Sequence, residues 1–180
     1  RHFGLDRKEG LKLKIMEPDF RALQVIAEVS LGLVGFSAII IALSRSKEGF
    51  SDPDNFRVQL LNFAAFGAMF NALIPFAIFG SESLEMRWKF TGGVLCLYSA
   101  VGLMIFPRKV FELRKQGYID IFPIPLIASQ MGVFVANFML SGAIVLDFVD
   151  SKNNVYLLCL ILFIVQSTVA FIRTMFVRVE

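Results

Sequence analysis

Glu28 sits in the apolar stretch Gln24-Val25-Ile26-Ala27-Glu28-Val29, where a carboxyl group can hold a cation, carry a proton or anchor a buried hydrogen bond. In hydrocarbon such a group is costly unless it is paired, hydrated or protonated. Steps of three, four and seven residues return to the same helix face, so Arg21, Gln24, Glu28, Gly32 and Gly35 form one stripe, expected to face protein and not lipid. Asn71, Tyr98, Asn137 and Gln166 also interrupt apolar runs. At a rise of about 1.5 Å per residue, Glu28 lies about 9 Å into the membrane, Asn71 and Tyr98 about 12 Å, Asn137 about 13 Å and Gln166 about 16 Å from the same side. These five residues are the candidates for an ion or polar-ligand site. The competing reading makes the amides interhelical glue, worth about 0.6 to 2 kcal/mol apiece.

Other chemistry is missing from the pattern. The sequence holds no nucleophile with an adjacent base, no Gly-rich phosphate loop and no His-rich set, so no catalytic residue and no metal ligand is assigned and no cofactor is implied. His2, the single histidine, falls in the polar lead-in. Cys96 and Cys159 lie inside apolar runs without CxxC spacing and read as inert packing thiols. A net charge of +3 and a pI near 9.0 could suggest nucleic acid. The basic residues, however, flank apolar runs and form no stripe interleaved with aromatics, which excludes that partner and points to a lipid bilayer.

The elements that must position these residues are all of one kind. The chain has 180 residues, 56% hydrophobic and 18% charged, with a mean hydropathy of +0.67. Its apolar residues are consecutive, as transmembrane helices require. Five spans are predicted, at about 22–43, 56–79, 90–106, 126–146 and 155–177, after a basic lead-in over residues 1–19. The fold class is therefore all-α, an integral membrane helical bundle occupying residues 20–180. Asp19 is expected to cap the first helix, which would also serve as the insertion signal, since no cleavable leader is read. Pro75 falls inside span two, Pro107 is expected to end the short span three, and Trp88 stands at a predicted boundary as an interfacial anchor. Arg108 to Gly117 reads either as an amphipathic segment at the headgroups or as a solvated basic loop.

With five spans the 18 Lys and Arg residues divide equally between the two sides, so the positive-inside rule assigns no orientation. If span three were only re-entrant or interfacial, leaving four crossings, 14 of them would share a side with both termini. An uninterrupted apolar run favours five. Small residues mark expected helix contacts: Gly32 and Gly35 in span one, and Ala128, Gly132 and Ala136 in span four, with Gln130, Asn137 and Ser141 on the opposite face. Arg173, near the end of span five, can snorkel to the headgroups.

The stretch Ala27-Glu28-Val29-Ser30-Leu31-Gly32-Leu33-Val34-Gly35-Phe36-Ser37, with Phe171-Ile172-Arg173, resembles a loosely defined group of small multi-pass bacterial membrane proteins without assigned activity. That resemblance implies a bacterial inner membrane and supplies no substrate. The residues themselves favour a non-enzymatic subunit, a homo-oligomer or part of a larger membrane complex, with its polar layer around Glu28. The alternative is a small cation or proton channel or transporter that uses Glu28.

Overall fold

The computed structural model describes residues 19–45, 51–78 and 84–176; the lead-in before Asp19 lies outside them. Five helices follow in order: α1 Phe20–Arg45, α2 Asp52–Ile78, α3 Leu84–Lys115, α4 Ile124–Val145 and α5 Lys152–Phe176. No strand occurs among the described residues. Each helix is long and apolar enough to cross a membrane. The chain is thus an all-helical, multi-pass integral membrane bundle, in which helices close most of their backbone hydrogen bonds within each span.

Local chemistry accounts for the helix ends. Asp19 caps α1, its Oδ1 accepting from the Ala22 amide at 3.1 Å, as expected. Ser51 does the same for α2, accepting from the Asp54 amide at 3.4 Å while its hydroxyl donates to Asp54 Oδ2. The helix therefore begins at Asp52, four residues before the predicted start of span two at 56. α3 ends at Gly117 in a left-handed conformation, φ +103°, with the Tyr118 amide bonded to Leu113 O and the Gly117 amide to Arg114 O. This Schellman arrangement uses glycine's freedom at positive φ.

Two expectations about α3 are corrected. Pro107 does not end it: the helix runs through Pro107 to Lys115 and, at 32 residues, is the longest of the five. The proline removes one hydrogen bond, but Val110 and Leu113 beyond it are buried in the common core, which favours continuing the helix. Residues 108–115 are accordingly the continuation of α3, neither a separate segment nor a loop. The shortness that motivated the four-span alternative is gone. Trp88, expected as an interfacial anchor, is fully buried and packs edge-on against Tyr156 at 5.6 Å.

α2 is the central helix, contacting α1, α3 and α5, while α3 and α4 pack as a hairpin and α5 bridges α4 back to α2 and α1. Its inner face carries Ala64, Ala65, Gly67, Ala68 and Ala72, whose small side chains leave the backbone within reach. Hydroxyls from two neighbours use it: Tyr98 donates to Phe63 O at 2.7 Å, Tyr156 to Asn71 O at 2.7 Å and Ser167 to Leu61 O at 3.1 Å. Asn71 O has a particular need, because Pro75 four residues later has no N–H to offer it. Tyr156→Phe should leave that buried carbonyl unpaired and cost about 1 to 3 kcal/mol. An unfolding titration in mixed micelles that shows no change would remove this account of how α2 tolerates its proline.

Phenylalanine fills the centre. Phe134 stacks on Phe106 at 5.6 Å and meets Phe63 and Phe163 edge-on at 5.8 and 6.0 Å. Tyr98 stacks on Phe63 at 4.4 Å. Gly67 and Gly102 make room for this cluster: a Cβ on Gly67 would collide with the Tyr98 ring, and one on Gly102 would come within 2.5 Å of Phe134 Cε1.

Candidate functional site

The residues expected to form one polar layer do not meet as a set. α1 buries Leu23, Ile26, Ser30 and Ser37 against the bundle, and Ser37 hydrogen-bonds Asn62 of α2. The opposite stripe, Arg21, Gln24, Glu28, Gly32 and Gly35, is exposed. The stripe expected to face protein is therefore not packed against the other described helices of its own chain. The inward face uses small hydroxyls and apolar groups, which pack without desolvating a charge, whereas a carboxylate would have to be stripped of all its partners.

Glu28 accepts a hydrogen bond from Gln24 Nε2 at 2.8 Å. The pair closes one side of a groove of about 310 Å³ between α1 and α2, otherwise lined by Ala27, Leu31, Met69, Leu73 and Phe76. Apart from this pair the groove offers a ligand only apolar side chains. On the same face nothing lies within 4 Å of a Cβ built on Gly32 or Gly35. Among the described residues these glycines therefore touch no other helix.

The other candidates are internal but separate. Asn71 donates to Gly67 O at 2.8 Å, and the Tyr98 ring packs on the same glycine, so these two converge around Gly67. Gln166 donates to Gln130 O at 3.4 Å, while its Oε1 has no partner among the described residues. Asn137 is fully buried, and neither its Nδ2 nor its Oδ1 has a partner there. Hydroxyl groups nearby satisfy themselves on their own helices, Ser99 on Leu95 O and Ser141 on Asn137 O, and leave the amide alone. The α4 faces behave like those of α1. Ala128 and Gly132 are exposed and Ala136 half-buried, whereas Asn137 and Ser141 point inward; among the described residues no other helix approaches a Cβ on Gly132 within 4 Å.

A second polar centre lies at the opposite end of the bundle. Arg57, six residues into α2, and Arg173, close to the end of α5, line one small cavity of about 20 Å³ with Phe56, Phe122, Gln130 and Met131. Arg57 is almost completely buried and forms an ion pair with Asp54 at 3.0 Å. Arg173 is half-buried near the end of α5 and donates to Ile121 O at 2.9 Å. Sequence reasoning passed over Arg57 as a flanking charge. The available signal was its place inside an apolar helix, one turn past the acidic start.

Among the described residues no group of three or more His, Cys, Asp or Glu side chains could hold a metal. Cys96 and Cys159 are both free thiols. Comparison of the chain with protein-family models, with curated protein sequences and with solved structures finds no match.

Proposed function

We propose that the protein is a non-enzymatic subunit of a membrane assembly, in the first instance a homo-oligomer, joined through the outward stripe of α1. One observation carries this reading: Gln24 and Glu28 are exposed on the outside of a membrane helix. Glu28 lies about 12 Å along the axis from the start of α1, inside the hydrocarbon of a bilayer about 30 Å thick. Leaving a carboxyl against lipid tails there costs several kcal/mol, which a partner helix removes. The stripe is also self-complementary. Each copy brings an amide donor and a carboxyl acceptor, so a twofold axis can pair Gln24 of one with Glu28 of the other. Gly32 and Gly35 would let the two backbones approach closely. The resemblance of residues 27–37 supports a bacterial inner membrane as the setting.

Mass measurement in mild detergent tests this. The wild-type particle is expected at a multiple of 20.2 kDa, and Gly32→Leu should shift it to the single chain while leaving the bundle folded. Glu28→Gln should weaken assembly by about 3- to 30-fold, the worth of one or two membrane hydrogen bonds. A wild-type protein that runs as one chain at every concentration ends the proposal.

The groove beside Glu28 favours one further reading, a cation or proton site used in transport. In reconstituted vesicles that reading requires a pH-dependent cation flux that Glu28→Gln abolishes. Equal absence of flux from both proteins, with assembly lost in Glu28→Gln, assigns the carboxyl to the interface alone.

A further inference from the structure

We infer that the cavity between Arg57 and Arg173 binds a phosphate-type oxyanion at the membrane boundary opposite the end nearer Glu28. Arg57 and Arg173 come from different helices, α2 and α5, and line the same space. Both are held by protein groups, Arg57 by Asp54 and Arg173 by the Ile121 carbonyl, so their positions are set before any ligand arrives. Arg173 meets no carboxylate among the described residues. Its planar fork carries five N–H donors suited to the oxygens of a phosphate, and the Ile121 contact occupies one of them.

Leu126 and Ile127, in the first turn of α4, complete the wall beside the two arginines, their amides bonded to Pro123 O at 3.1 and 3.2 Å. Gln130, one turn further along α4, adds a polar side chain to the lining. The volume of about 20 Å³ suits one inserted oxygen, since a single water needs about 10 to 15 Å³ by the same measure. The rest of the phosphate group would stay at the mouth. Arg57 and Arg173 both lie within two turns of their helix ends, the level at which lipid phosphates sit. The same chemistry would equally accept free inorganic phosphate.

The test uses the full chain, purified in neutral detergent and in nanodiscs of phosphatidylcholine with or without phosphatidylglycerol. Two readouts are taken: the thermal midpoint on adding inorganic phosphate, and the phospholipid retained per chain in native mass spectra. A rise in the midpoint with inorganic phosphate alone identifies the free ion. Retention of phosphatidylglycerol without a response to phosphate identifies the headgroup, and either result supports the site. Arg173→Gln should weaken the effect by about tenfold or more, the loss of a charge-assisted pair, and Arg173→Lys should restore part of it. Arg108→Gln removes an exposed charge at the same end and should change neither readout. The inference is overturned if wild type responds to neither ligand. It is also overturned if Arg108→Gln lowers binding as much as Arg173→Gln, since the basic surface would then suffice.

Discussion

Gly102→Leu is expected to destabilise the bundle by about 3 kcal/mol, at the upper end of what overpacking costs. A Cβ at this position would sit 2.5 Å from Phe134 Cε1 and 3.0 Å from Phe63 Cε1. Both rings belong to the aromatic cluster that joins α2, α3, α4 and α5, so neither can turn aside without moving a third. Gly132→Leu provides the contrast. With no atom near its Cβ, it should be neutral or stabilising by up to about 1 kcal/mol through helix propensity. Unfolding in mixed micelles measures both. Equal losses would mean that the small ridge of α4 is packed within the monomer, contrary to the fold described above.

Asn137→Leu is expected to stabilise the folded chain by about 1 to 2 kcal/mol. The amide is fully buried, and both of its polar atoms lack partners among the described residues. An unsatisfied buried polar group costs about 1 to 3 kcal/mol, and an apolar side chain of similar size removes that cost. If this residue were interhelical glue, the same substitution would lower stability by about 0.6 to 2 kcal/mol. The two accounts differ in sign, so a single unfolding comparison decides between them. A measured loss would show that the amide is engaged, by a bound water, ion or ligand. Asn71→Leu should gain less, because it removes a buried Oδ1 that has no partner among the described residues but also removes the formed bond from Asn71 Nδ2 to Gly67 O.

The positions of these two residues show how far sequence reading reaches. Gly102 carries no motif; it is one glycine in Val101-Gly102-Leu103, and only the arrival of Phe134 from another helix makes it indispensable. Gly32, Gly35 and Gly132 were the glycines with helix-contact spacing, yet all three face outward. Spacing identifies a face that can accept a helix. It does not say whether that helix belongs to the same chain.

The apolar runs by themselves determined five helices, because in a bilayer each span must close its own hydrogen bonds and needs about 20 apolar residues to do so. Asp19 as a cap and Pro75 as a tolerated interruption were legible for the same local reasons. The tertiary structure alone decided which stripe of α1 turns inward and that α3 continues past Pro107. It also set Glu28 apart from Asn71, Tyr98, Asn137 and Gln166, and brought Arg57 to Arg173 across 116 positions of sequence. The physical reason is that lipid is as apolar as a protein core, so the inside-outside contrast that orients a helix in water is absent. Orientation then depends on side-chain fit between helices, and fit is a property of pairs that no single segment contains.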